Sequence, residues 1–238
     1  MNDSREKIER FIAAFGYELQ SIKDLFESNT SKIQKQVLCC AYIDALSAIA
    51  YPSEGGRARF VKTVQVYGSW DYGKYVSIPH LFKLLSLNSD ENHHELNTFL
   101  NDRISQWSTG DCIGLENDIR INDLENQFCI NVNDKIKNIK TVNLSHENLL
   151  YTYRCSLVHE YSTLGSSLEI ADDSNPYYLA IITSSGDLPF YWSLIYPTGF
   201  LFKLCETVFA NLKAHIVETK QNPFENVKIN RYWLKGLE

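Results

Sequence analysis

The chain has 238 residues, of which 44% are hydrophobic and 22% charged, and its net charge is −6 at pH 7. This length can bury a sizeable core, and the composition excludes a globally disordered chain. The net negative charge argues against a protein that binds nucleic acid over a broad surface, although a local basic site is compatible with this charge. No leader-like segment or apolar run of membrane length is present, so we expect a cytoplasmic protein without membrane contact and with reduced thiols.

Apolar residues recur at helical spacing through the first 50 residues. This pattern predicts a helix over residues 3–28 and a second over residues 32–50, with Ser31 as the N-cap of the second. The second helix is apolar on more than one face, so we expect it to be well buried. Asp44 is its one carboxylate, and a buried carboxylate needs a partner. Arg154 is a candidate for that partner.

The next stretch, residues 52–143, is less regular. Helices are predicted over residues 57–68 and 79–87, and a third follows a polar linker within residues 89–107. Residues 108–143 read as a mixture of loop and short helix. Between the first two helices, Trp70, Tyr72 and Tyr75 suit either packing, the more common role of aromatic residues, or stacking on bases.

The last 95 residues carry clearer signals. Ser145 is a natural N-cap for a helix. Gly165 and the two serines that follow it would end this helix. Residues 177–183 and 188–196 are strand-like and flank the turn residues 184–187, which predicts a β-hairpin. Pro197 suits the start of a final helix that reaches about Thr219. We therefore expect a mainly α protein with minor β structure, and a single domain over residues 1–238.

Arg154 and His159 are the one pair in this chain whose residue types and setting suit catalysis, on a helix of otherwise apolar and aromatic residues. Arginine stays charged, whereas histidine changes charge near neutral pH. Five residues along a regular helix turn by about 500°, which leaves the two positions about 140° apart. We therefore expect them to diverge, and any active site to be composite, unless the helix kinks or ends there. A two-fold dimer would supply the missing groups.

These residues resemble a known family. The stretch R-C-S-L-V-H, from Arg154 to His159, resembles the R-x4–6-H motif of the HEPN superfamily. The earlier helix L-C-C-A-Y-I-D-A-L-S, with Asp44, is similar to the HEPN helix whose acidic residue faces the motif arginine. Residues 176–224 resemble the C-terminal part of a HEPN-like group more loosely. The resemblance implies a HEPN-like antiparallel helical bundle with an added β-hairpin near residues 177–196, and residues 52–143 as an elaboration.

The resemblance also implies a function, because many HEPN proteins are metal-independent ribonucleases in toxin–antitoxin systems, abortive infection or CRISPR-linked antiviral defence. Arg154 would hold the scissile phosphate, His159 would act as general base or acid, and Asp44 would hold Arg154. Ser156 and Glu160 would contact the substrate. The product would be a 2′,3′-cyclic phosphate, formed without metal or cofactor. The implied partners are RNA, a second copy of the chain, and an antitoxin or nucleotidyltransferase.

One position departs from the motif. The residue after the arginine is commonly Asn, Asp or His in active nucleases of the family, and here it is Cys155. This departure motivates an alternative, a catalytically inactive dimeric module that binds a protein partner or a nucleotide. A further alternative is a buried cluster of Arg154, Asp44 and His159 that only fixes helix packing.

Other chemistry is poorly supported by the sequence. The cysteines lack the spacing of zinc ligands, and neither a phosphate-binding P-loop nor a G-x-S-x-G nucleophile elbow is present. His93 and His94 lie beside Asp90, Glu91 and Glu95, but adjacent residues point to different helix faces. A solvated turn is the favoured interpretation of that cluster.

Overall fold

The structure is a computed structural model that describes residues 2–28, 30–87, 93–164, 169, 174–182 and 190–225. These residues form two compact units. The first contains the described residues up to Ser69 and from Leu204 onward, and the second contains Trp70–Lys203. The described part of the chain is mainly helical with a few small antiparallel strands, which confirms the predicted fold class at that level. None of its helices combines the length and apolar character needed to span a membrane.

The first unit is built from helices. They are α1 (Asn2–Glu27), α2 (Lys32–Ala50), α3 (Gly56–Tyr67) and the greater part of α8 (Thr198–Thr219). Ser31 begins α2 with a complete capping box, in which its hydroxyl and the Gln34 side chain each satisfy the other's backbone N–H. The core of the unit is apolar and includes Phe11, Ile43, Leu46, Phe60, Val64, Cys205 and Val208.

The second unit begins with short elements around a second core. In chain order they are β1 (Tyr75–Val76), α4 (Ile78–Ser86), α5 (His94–Ser105), β2 (Ile113–Gly114), β3 (Ile119–Arg120), α6 (Ile121–Phe128), β4 (Lys135–Ile136) and β5 (Ile139–Lys140). β1 pairs with β3, and β4 pairs with β5, both antiparallel. Buried Leu81, Leu85, Leu100 and Leu124 lie in the core of this region. The mixture of loop and short helix predicted for residues 108–143 therefore also contains two-residue strands.

The predicted hairpin is confirmed. β6 (Tyr177–Ile182) and β7 (Phe190–Ile195) pair antiparallel in a register that joins Tyr177 to Ile195 and Ile182 to Phe190. β2 adds a third strand on the β6 side, which the sequence did not predict. The turn expected at residues 184–187 lies outside the described residues.

Helix α7 (His146–Glu160) carries the sequence motif and follows Ser145, as predicted. The Ser145 hydroxyl makes no capping bond to the helix backbone and instead accepts from the Asn148 side chain at 3.0 Å. The predicted end near Gly165 is wrong, because Tyr161 adopts a left-handed conformation with φ 50° and ψ 39° and closes the helix. Gly165 itself lies outside the described residues. The motif therefore lies in about the last two turns of α7.

Candidate active site

Arg154 and His159 meet at the C-terminal end of α7. The distance from Arg154 Nη1 to His159 Nε2 is 3.3 Å. The two side chains therefore do not diverge, and the exception stated for a helix that ends near His159 applies, because α7 ends at Glu160. The angle between the two positions ignores the reach of an arginine side chain and the lean of helical side chains towards the N-terminus, which brings His159 back over the preceding turn.

The contact is a hydrogen bond in only one form of His159. Every nitrogen of an arginine side chain is a donor, so the contact is a hydrogen bond only when Nε2 of His159 accepts. The imidazole is then neutral, with its proton on Nδ1. A cation that binds phosphate and a nitrogen lone pair that can take a proton therefore lie within one hydrogen-bond length of each other.

The pair is open to solvent. His159 is exposed, and Arg154 is half-buried with its guanidinium 5.9 Å from the centre of the Tyr151 ring. The alternative of a buried packing cluster is thus wrong for His159. The Cys155 thiol, which stands where the family pattern has Asn, Asp or His, lies 3.9 Å from Arg154 Nη1.

Ser156 and Glu160 lie at the same helix end. The Ser156 hydroxyl is buried and lies 3.1 Å from Glu160 Oε2, 3.1 Å from the Ser162 carbonyl and 3.0 Å from the Ser162 hydroxyl. The Ser156 carbonyl accepts the N–H groups of Tyr161 and Ser162. These contacts fix the turn after α7 and so position His159. The predicted substrate contacts of Ser156 and Glu160 stay predictions.

Asp44 is half-buried rather than buried. It lies in the first unit, where its carboxylate is 3.8 Å from Arg59 Nη2. Because Arg154 belongs to the second unit, the predicted role of Asp44 in holding Arg154 stays a prediction.

A second constellation, which the sequence did not reveal, is buried in the second unit around Asp118. His146 Nε2 lies 2.7 Å from Asp118 Oδ2, and both side chains are fully buried. Tyr178 Oη is 2.8 Å from the same oxygen, and the Ile78 N–H donates to Oδ1 at 2.8 Å. Ser77 Oγ extends the network, 2.7 Å from Tyr178 Oη. The members are separated by up to 101 residues in sequence, so no local pattern marks them.

His80 connects this buried network to a cavity. Its Nδ1 is 2.7 Å from Ser77 Oγ. Burial and the nearby His146 lower the pKa of His80 to about 4, against an opposing effect of Asp118. The ring is therefore neutral at pH 7. Sequence reasoning missed His80, because a single histidine in an apolar helix carries no motif.

The aromatic loop before β1 packs in part against its own unit. Trp70 is a packing residue, with its ring 5.0 Å from that of Phe200 and 6.1 Å from that of His146. Tyr75 is half-buried, and the Arg120 Nε donates to its hydroxyl at 2.6 Å. Its ring lies 5.3 Å from that of Tyr72. Stacking of bases on Tyr72 and Tyr75 stays a prediction.

Among the described residues, no group of three or more His, Cys, Asp or Glu side chains could hold a metal ion. Asp90 and Glu91, which the sequence places beside His93 and His94, lie outside the described residues. Comparisons with protein-family models, curated proteins and solved structures give no match to this chain, so its relation to the HEPN superfamily rests on the motif and stays a prediction.

Proposed function

We propose that the protein is a metal-independent endoribonuclease of HEPN type, with its active site at the C-terminal end of α7. The observation that carries the proposal is the 3.3 Å contact between Arg154 Nη1 and His159 Nε2 on a solvent-exposed helix end. RNA cleavage through its own 2′-hydroxyl needs a cation on the phosphate and a base near the hydroxyl, and this pair supplies both.

The reaction would proceed as an internal transfer. Arg154 would turn from His159 to the non-bridging oxygens of the scissile phosphate. His159 Nε2 would take the proton of the 2′-hydroxyl, whose oxygen attacks phosphorus as the bond to the 5′-oxygen breaks. The products are a 2′,3′-cyclic phosphate and a 5′-hydroxyl. A second copy of the chain would bring a second His159, in its protonated form, to donate to the leaving oxygen. We therefore propose that the protein acts as a homodimer. From the resemblance to the HEPN superfamily, we also propose a role in toxin–antitoxin or antiphage defence, with an antitoxin or nucleotidyltransferase as partner.

Cleavage of labelled RNA in EDTA tests this function. We expect Arg154→Ala and His159→Ala each to lower the rate by roughly 100-fold or more, the typical contribution of a positioned acid–base group. Arg103→Ala and His94→Ala are matched controls, because both are exposed residues of α5, and they should cleave like the wild type. Absence of cleavage by every protein, or equal cleavage by all of them, would overturn the proposal.

The second candidate function is a catalytically inactive HEPN-like dimer that binds a nucleotide or a protein. It is favoured by Cys155, which lies beside Arg154 at the motif position that is commonly Asn, Asp or His in active nucleases. A thiol is a weaker hydrogen-bonding group than any of those side chains. Comparison of the wild type with Cys155→Asn separates the two functions. Metal-free cleavage by the wild type supports the nuclease, and cleavage gained only in Cys155→Asn supports the inactive module.

A further inference from the structure

A cavity of about 290 Å³ lies against the same helix that carries Arg154 and His159. Its α7 wall is formed by Leu149, Thr152 and Tyr153, the last of which directly precedes Arg154. Trp192 of β7 and His80 of α4 also line it. The volume is at the lower end of the range for small-molecule sites, ~300–1,000 Å³, and aromatic walls with few polar groups are typical of such sites.

The buried network determines which nitrogen of His80 carries the proton. The Asp118 carboxylate only accepts, so Tyr178 donates its single hydroxyl proton to Oδ2. Tyr178 Oη also lies 2.7 Å from Ser77 Oγ. Because the one phenolic proton is held by the carboxylate, the proton of this second contact must come from the Ser77 hydroxyl. With its own proton used, Ser77 Oγ accepts from Nδ1 of His80. Nε2 of His80 is left with a lone pair.

This lone pair is available to a ligand. Within the described part of the chain, Nε2 of His80 makes no hydrogen bond, and His80 is one of the residues that line the cavity. Burial keeps the ring neutral at pH 7, since its pKa is lowered to about 4. A ligand in the cavity therefore meets the His80 acceptor among side chains that are mostly aromatic or aliphatic, with hydroxyl groups from Thr152 and Ser193. A flat ring with an N–H donor at its edge satisfies both features.

We propose that this cavity binds a nucleobase of the RNA, with the exocyclic amino group of the base donating to Nε2 of His80. The proposal rests on the proposed function, because RNA is the expected source of the base only if the helix that lines the cavity also carries the active site. The base would lie among Tyr153, Trp192 and Leu149, since base–aromatic contacts stabilise bound nucleotides. His80 would thus set a base preference next to the cleaved bond, without taking part in cleavage.

Binding of adenosine 5′-monophosphate, followed by calorimetry, tests the pocket without any cleavage step. The only N–H donor on the adenine ring is its amino group, so the N6,N6-dimethyl analogue removes the hydrogen bond. We expect the analogue to bind the wild type about tenfold more weakly, the upper range for one hydrogen bond. His80→Phe should bind both nucleotides equally weakly.

Thr152→Phe provides a variant that leaves the buried network intact and fills the cavity. Its matched control is Thr98→Phe on α5, because both threonine hydroxyls bond to the carbonyl four residues earlier in their helices. Binding should be lost in Thr152→Phe and retained in Thr98→Phe. Absence of nucleotide binding to the wild type, or binding that Thr152→Phe and His80→Phe leave unchanged, overturns the proposal. A mononucleotide has no phosphodiester bond between nucleotides to cleave. The binding experiment can therefore disprove the nucleobase pocket while RNA cleavage is confirmed, or confirm the pocket while RNA cleavage is disproved.

Discussion

The two ends of α7 each carry a histidine beside a charged residue, in opposite environments. His146, at the first position of the helix, is fully buried against the Asp118 carboxylate. His159, one residue before its end, is exposed beside the Arg154 guanidinium. The carboxylate fixes the first imidazole as a hydrogen-bond donor, and the guanidinium makes the second an acceptor. One helix therefore carries a structural histidine at its start and a candidate reactive one at its end.

Burial determines what each end contributes. A buried polar group that loses its partner keeps the full cost of its desolvation, whereas an exposed group exchanges its partner for water. The Asp118 network should thus contribute mainly to the free energy of unfolding. The Arg154–His159 pair should contribute mainly to activity. Three measurements, from the largest expected effect to the smallest, test this contrast.

Asp118→Ala should have the largest effect on stability. It leaves His146, Tyr178 and the Ile78 N–H without their common acceptor in a buried site. Removal of one partner from a buried charged network costs ~3–5 kcal/mol of the free energy of unfolding. Urea unfolding measures this loss. The control is Asp111→Ala, an exposed position, which should stay within about 0.5 kcal/mol of the wild type. A similarly small change in Asp118→Ala would show that the network does not stabilise the fold.

The second largest effect should be a pH dependence of the free energy of unfolding, caused by the titration of His80. Its pKa is about 4 in the folded protein and ~6.5 when unfolded, so the unfolded chain binds more protons between these values. Stability is then complete above pH 6.5 and decreases as the pH falls towards 4. With partial exposure of the ring taken into account, we expect a loss of about 2 kcal/mol over this range.

Urea unfolding at several pH values between 4 and 7 measures this slope. The charges of Asp118 and His146 also affect the pKa of His80, so the measurement needs a variant that removes only the His80 imidazole. In His80→Phe the slope should become shallower by the His80 contribution, whereas His94→Phe, at an exposed position of α5, should keep the wild-type slope. Equal slopes in all three proteins would contradict the buried, neutral state of His80.

The sequence predicted the elements whose signals are local. The bounds of α2 follow from the Ser31 cap, the Gln34 capping box and the break at Tyr51–Pro52. The hairpin of β6 and β7 follows from its strand-forming residues. The end of α7 was missed because the left-handed position after it is Tyr161, where glycine is the usual residue.

The candidate site was predicted in its members but not in its geometry. Arg154 and His159 stand out because they are polar on an apolar helix, yet their contact depends on side-chain length and on where the helix ends. The Asp118 network depends on residues 28, 60 and 101 positions apart. The strands next to Ser77 and Asp118, β1 and β3, have two residues each and are too short to produce a periodic pattern. Such contacts follow from tertiary packing, which a single sequence does not encode in any local window.

The smallest expected change in stability is that of His159→Ala, the variant from which we expect one of the largest losses of cleavage. Its ring is exposed, and its hydrogen bond to Arg154 is readily replaced by water, so the free energy of unfolding should change by less than about 0.5 kcal/mol. Urea unfolding of the variant beside His94→Ala provides the measurement and its control. A loss above about 1.5 kcal/mol would mean that His159 holds the end of α7 in place, and the loss of cleavage in that variant would then report a disordered helix end rather than a missing base. A small change would leave the missing base as the cause.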